Sequence, residues 1–266
     1  MYQIIQISDI HIGGEYDGKF DCWGNLEKVL DSAQSKSTSI LASLLGASEQ
    51  LVLVTGDVCD KETGAATAEN YRKVDQLIKS KLHCKKVLYT VGNHDDPVVM
   101  GNALGFDPDE TYGKLISPYD NPFLLFHIPT YSGRVDVKEV MGKIMDELYS
   151  AHDQSVADMP RFVFSHFPIG HVDNRFMQNG HSLENGDELA ERLWLIGIKD
   201  IFCGPFHMGI TSRSAPNVPW VNVCPGVQMQ LDPYSKDCRC TADYPGYAVI
   251  NIYPDYADAQ FKYIEQ

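Results

Sequence analysis

KVLYTVGNHDD, residues 86–96, joins two stretches of opposite character. Lys86 to Val91 is a run of β-branched and aromatic residues, the composition of a strand buried on both faces. Gly92 ends the run, and an amide, an imidazole and two carboxylates follow at once: Asn93, His94, Asp95 and Asp96. A loop that only had to reverse direction would be served by Asn-Gly. Placing these groups at the carboxyl end of a strand marks a polar site there.

The same construction recurs along the chain. Residues 2–8, 51–55, 123–128, 161–165 and 198–203 are further strand-like runs, each followed by Gly, Asp, Asn or His instead of a two-residue hairpin turn. Between them, 26–46, 65–82, 138–153 and 184–197 carry apolar residues at helical spacing. Alternating strand and helix predicts an α/β fold. After residue 215 the strand-like runs have few residues between them, which predicts an antiparallel hairpin or meander. No repeat or Gly/Ser linker divides the chain, so residues 1–266 are expected to form one domain.

Composition narrows the class. A chain of 266 residues, 44% hydrophobic, buries an ordinary core. Its start, MYQIIQISDIH, lacks a basic region, and Asp9 interrupts the apolar run too early for a signal peptide or spanning helix, so no membrane partner is expected. The net charge of −14, from 22 basic and 36 acidic residues, disfavours a nucleic-acid backbone. Seven scattered cysteines suit reduced thiols in a cytoplasm better than a disulfide framework.

Four other segments place ligand-type groups where a loop begins. Period-2 alternation is expected to set Asp9 and His11 in SDIH on one side of the chain. Asp57 follows LVLVT in TGDV, His166 follows RFVF in SHFP, and His207 follows IKDIFC in GPFH. Ligands in open α/β sheets gather at the carboxyl ends of strands, so these segments are read as one site.

D-x-H, G-D, G-N-H-[D/E], an isolated His and G-H-x-H form, in that order, the signature of the calcineurin-like metallophosphoesterases, and this chain resembles that family from residue 5 to about residue 250. Its short length, HFPIG, Asn179-Gly180 and the tail PGVQMQ…YPGYAVINIY look most like the class III cyclic-nucleotide phosphodiesterase branch. The resemblance implies a four-layer α-β-β-α sandwich of two mixed sheets, with the strands of about 215–266 completing the second sheet. It implies that Asp9, His11 and His207 hold a first divalent cation, that Asn93 and His166 hold a second, and that Asp57 bridges both. Mixed nitrogen and oxygen ligands suit manganese, iron or zinc.

A hydroxide held by the two cations would then attack phosphorus. His94 would serve the leaving alkoxide, and Asp95 would orient its ring. Pro205 stands where the family has a second-site histidine, and proline offers no ligand atom. That predicts one tight and one weakened site, with His171 or His181 as substitute ligand or substrate contact, on a 168–183 loop expected to overhang the metals. The expected function is hydrolysis of a small phosphodiester, a cyclic nucleotide such as 3′,5′-cAMP or a glycerophosphodiester-like molecule. The alternative is a catalytically impaired relative that binds a nucleotide or regulates a partner. The branch it resembles often forms homodimers, and the aromatic tail offers a contact.

Overall fold

Period-2 alternation sorts the apolar residues of each central strand into two different layers. A computed structural model describes residues 2–14, 20–37, 51–84, 86–117, 122–150, 159–172, 181–232, 240–242 and 244–265. Strands β1 (Tyr2–Ile7), β2 (Leu51–Thr55) and β3 (Lys86–Thr90) run parallel, and helices α1 (Cys22–Ser37), α2 (Ala68–Leu82) and α3 (Pro97–Leu104) follow them in turn. Ile5, Ile7, Val52 and Val54 pack with Leu26, Leu30, Tyr71, Val74 and Ile78 of the helices. The residues between them, Ile4, Leu51, Leu53 and Leu88, point the other way, into a layer with Phe123, Leu125, Phe162, Phe164 and Phe202.

Those phenylalanines belong to a second sheet. It contains β4 (Tyr112–Ile116), β5 (Phe123–His127), β6 (Arg161–Phe164), β7 (Ile198–Cys203), β8 (Ile210–Ser212) and β9 (Trp220–Val223), in the order β4-β5-β6-β7-β9-β8. Its other face, carrying Leu124, Phe126, Val163 and Ile201, packs on Val140 and Ile144 of α4 (Val137–Ser150) and Leu189 and Leu193 of α5 (Gly186–Leu195). Helix, sheet, sheet, helix is the four-layer α/β architecture expected. β10 (Gln230–Leu231) and β11 (Cys240–Ala242) form a small separate pair.

The C-terminal strands depart from expectation. β12 (Gly246–Ile252) and β13 (Ala257–Tyr263) join the first sheet, antiparallel beside β1, in the order β13-β12-β1-β2-β3. Of the segment after 215, β9 enters the second sheet, and it does so parallel to β7. The apolar pattern of YAVINI is equally compatible with either sheet, because both need a strand buried on both sides. The sequence reading also passes over β4 and α3. The latter begins with Asp96 capping the Val99 N–H at 3.0 Å and Pro97 in its first turn, a start signal hidden next to the polar site. Residues 38–46 and 151–153, expected to be helical, lie outside the described residues.

Among the described residues no helix is long and apolar enough to cross a membrane. Cys22, Cys59, Cys84, Cys203 and Cys224 are buried free thiols.

Asp200 sits in β7 at 5% exposure, accepting from Asn222 Nδ2 at 3.2 Å. Burial pushes its carboxyl up to about 6, against the donors from Asn222 and the Ala257 backbone. An acid raised in the folded state destabilises that state once ionised, so its cost is absent below about pH 4 and complete above about pH 6. Asp200→Asn keeps the acceptor, and its stability relative to wild type should rise by up to about 3 kcal/mol between pH 4 and 7 in urea denaturation. A difference flat across that range would show a carboxyl that titrates as in solvent.

Candidate metal centre

Strand ends from both sheets meet at one place because backbone hydrogen bonds continue the β1–β2 pairing past the strands. Asp9 N donates to Gly56 O, His11 N to Asp57 O and Ile12 N to Val58 O, at 2.9 to 3.1 Å. Val227 N and Gln228 N donate to Ser8 O and Asp9 O from the other side, both at 3.0 Å. Gln6 Nε2 reaches Cys203 O in the second sheet at 3.1 Å.

Held this way, Asp9, His11, Asp57 and His207 all take positive φ, between 49° and 54°. Non-glycine residues rarely adopt this region, at a cost of ~1–3 kcal/mol each, and concentrated strain of this kind belongs to functional sites. Gly56 and Gly92 make the close approach feasible. A Cβ on Gly56 would stand 2.4 Å from His166 Nδ1, and one on Gly92 would stand 2.1 Å from Asp57 Oδ1.

The expected first-site ligands converge. Asp9, His11 and His207 are buried, and each offers a ligand atom within 4.8 Å of the others. His207 Nε2 lies 3.5 Å from Asp9 Oδ1, and the His11 and His207 rings stack with centroids 5.0 Å apart. Neither Asp9 oxygen nor His11 Nε2 has a hydrogen-bond partner, although all three atoms are buried. A carboxylate so placed without a donor is costly, and a cation between these side chains satisfies it. Burial holds His207 down to about 4, in the neutral form that binds metals.

The groups expected at a second site lie beside it. His166 Nε2 is 3.0 Å from Asn93 Oδ1 and 3.4 Å from Asp57 Oδ2. His166 Nδ1 donates to Thr55 O at 2.8 Å, which fixes the ring and leaves Nε2 as the ligand atom. Burial alone would lower the pKa of this ring, but the Asp57 carboxylate outweighs it and raises it to about 9. Burial would likewise raise Asp57, and His166, His11 and His94 together hold it well below the usual carboxylate range. A cation between Asp57 and His166 would take the place of that proton.

One expectation is corrected. Asp95 does not serve as the orienting partner of His94. Its Oδ1 accepts from Val58 N, Cys59 N and Tyr71 Oη at 2.9 to 3.1 Å, and its Oδ2 accepts from Gly92 N at 2.9 Å. It binds three segments together from beneath; burial, then the charge on Asp57, pushes its carboxyl up to about 6. The carboxylates facing His94 Nδ1 are Glu62 at 3.3 Å and Asp60 at 3.9 Å. Asp60 also lies 3.9 Å from His11 Nδ1, and His11, Asp60 and His94 form a second cluster of ligand-type atoms. Sequence reading stopped at Gly56-Asp57; the acid three residues further on was the available signal.

His171 and His181 join neither cluster. His171 is exposed and lines a cavity of about 310 Å³ with Pro168, Val172, Leu183, Asp187 and Phe206, between the His166 and His207 loops. His181 is lowered first by burial and then by the nearby charge of His94, with Asp57 opposing, so it borders the metal centre. Residues 173–180 of the expected overhanging loop lie outside the described residues.

With this geometry in view, residues 2–204 match the family model described as calcineurin-like phosphoesterase, and the chain belongs to that family. The match stops just before Pro205. No curated protein matches the sequence. Among solved structures, a dimetal phosphatase from Danio rerio is similar over 98% of this chain and 95% of its own, at 14% identity and a TM-score of 0.61. GAP50, described as the anchor in the inner membrane complex of Plasmodium, is similar over 98% and 84%, at 9% identity and 0.60. A putative 5′-nucleotidase from Staphylococcus aureus is similar over 98% and 53%, at 10% identity and 0.52.

The geometry separates Asp95 from His94. Asp95→Ala strands several buried donors and should lower stability by ~3–5 kcal/mol in chemical denaturation. His94→Ala, at a side chain 37% exposed, should leave stability within ~1 kcal/mol while lowering phosphoester turnover by ~10²–10⁴-fold. Equal stability losses in the two variants would contradict this division.

Proposed function

We propose that this phosphoesterase is a metal-dependent phosphodiesterase acting on a small phosphodiester, a 3′,5′-cyclic nucleotide or a glycerophosphodiester-like molecule. The reading rests on the buried Asp9 carboxylate, unpartnered at both oxygens and faced by His11 and His207. Divalent cations of manganese, iron or zinc, when bound, supply positive charge for the phosphate oxygens and lower the pKa of an attacking water. Asp9, His11 and His207 would hold one, Asn93 and His166 the other, and Asp57 both. His94, at the mouth of the site with Glu62 and Asp60 along its Nδ1 edge, donates a hydrogen bond or proton to the departing alkoxide. The cavity beside Phe206 offers room for the alcohol portion. Buried free thiols suit a reducing compartment, and the proposed location is the cytoplasm.

Pro205 favours a second reading, a relative that holds a phosphate-bearing ligand with one cation and does not turn it over. GAP50 has this fold and is described as an anchor. Titrating Mn²⁺ into wild type and Pro205→His, with 3′,5′-cAMP, bis(p-nitrophenyl) phosphate and p-nitrophenyl phosphate as substrates, decides between them. The proposal expects wild-type turnover of a diester, with Pro205→His lowering the Mn²⁺ concentration for half-activity by ~10–100-fold. Wild type inert at saturating Mn²⁺ beside an active Pro205→His establishes the second reading. Faster cleavage of the monoester than of either diester overturns the substrate class.

A further inference from the structure

At the mouth of the metal centre the loop of residues 60–64 passes along the edge of His94 that carries Nδ1. That atom is buried and has no hydrogen-bond partner. Two carboxylates face it, Glu62 Oε2 at 3.3 Å and Asp60 Oδ2 at 3.9 Å. Asp60 Oδ2 also lies 3.9 Å from His11 Nδ1, and His11, Asp60 and His94 each offer a ligand atom within 4.8 Å of the others. A buried ring nitrogen left without a partner beside two acids is an incomplete arrangement. The backbone holds it in place. Asp60 N donates to Ile12 O at 3.0 Å, Ala65 N to Asp60 O at 3.1 Å and Lys61 N to His94 O at 2.9 Å. Glu62 N donates to Asp60 Oδ1 at 3.1 Å, which leaves Oδ2 to face His94. Lys61, between the two acids in the chain, directs its Nζ to Asn93 O. Gly14 keeps one side of Asp60 Oδ2 open, since a Cβ there would stand 3.1 Å from it.

Two ligands that each lie about 2.0–2.1 Å from one tetrahedral ion stand about 3.3 Å apart. Glu62 and His94 already have that separation, and Asp60 reaches it with a shift of ~0.6 Å. His11 Nε2 faces the first site, so here the His11 ring stands behind Asp60, and the ligands are His94, Asp60 and Glu62 with water completing the shell. The two carboxylates match the charge of a divalent ion, which therefore adds no net charge beside the first cation. An imidazole and two carboxylates at this spacing suit zinc, whereas magnesium demands octahedral oxygen and keeps its waters.

We propose that His94 Nδ1, Asp60 and Glu62 form a third cation site, at the mouth of the centre, that takes zinc. An ion there would pin the ring proposed to serve the departing alkoxide, a regulatory consequence that rests on the phosphodiesterase reading; the site itself does not. Equilibrium dialysis of the full chain against a Zn²⁺ series tests it, with wild type, Glu62→Gln, His94→Ala and Asp9→Asn, and thermal melts confirming that each variant is folded. The expected result is one zinc ion that Glu62→Gln and His94→Ala each lose or bind at least ~10–100-fold more weakly than wild type, and that excess Mg²⁺ does not displace. Asp9→Asn should keep this ion while weakening the first site, which separates the third site from the centre behind it. Equal zinc binding by wild type, Glu62→Gln and His94→Ala across the series overturns the proposal. Loss in Asp9→Asn of the same ion that Glu62→Gln loses overturns it as well, because the ion then belongs to the first site.

Discussion

A carboxylate buried with no donor is the constraint around which this fold is organised. Asp9 lies at the end of β1 with 0% exposure and no hydrogen bond to either oxygen. An ionised carboxylate in that position costs several kcal/mol unless positive charge compensates it. His207 does not fill the role, because burial keeps it neutral and its nearest nitrogen is 3.5 Å away, and His11, which burial would lower but Asp60, Asp57 and Asp9 raise, is shared among three carboxylates. The arrangement is coherent as a cation site.

The backbone bears a related cost. Four side chains of the centre sit at positive φ, and the structure can hold them there because their neighbours leave them no alternative. The β1 and β2 loops are zipped together by main-chain bonds, and Asp95 gathers the N–H groups of Val58, Cys59 and Gly92 under them. Asp95 and Asp57 therefore divide the work between them. One carboxylate is fully occupied by donors and fixes the loops, and the other turns toward His11 and His166 with an oxygen to spare for metal.

Much of this was legible in the sequence, and the parts that were not have physical reasons. Strands such as LVLVT and RFVF declare themselves because burial on both faces demands continuous apolar runs. Asp9, His11 and His207, the residues expected at the first site, were legible because each lies just past such a run. β4 escaped because TYGKLI is a half-buried edge strand with a glycine, close to the pattern of a loop. The sheet to which β12 belongs could not be read, since strand pairing over more than 240 residues leaves no local trace. Asp95 misled for a different cause: adjacency to His94 in the chain says nothing about direction, and the turn carries its carboxylate inward while Glu62 and Asp60 approach from another loop. Pro205 offers no ligand atom where the resemblance expects a histidine, and what stands beside it depends on loops whose positions follow no motif.

The bond from His166 Nδ1 to Thr55 O joins the end of the second sheet to the end of the first, and His207, carried by the β7 loop, faces Asp9 from β1 in the same way. Ligands to each proposed cation thus come from both halves of the sandwich. The ion would act as a rivet through two plates, so that sliding one sheet over the other by a fraction of an ångström would alter the coordination distances. The Phe123, Phe162 and Phe202 layer between the sheets thereby acquires a second duty, as the spacer that sets metal affinity from a distance. Loading the centre, in turn, would tighten packing that never touches it.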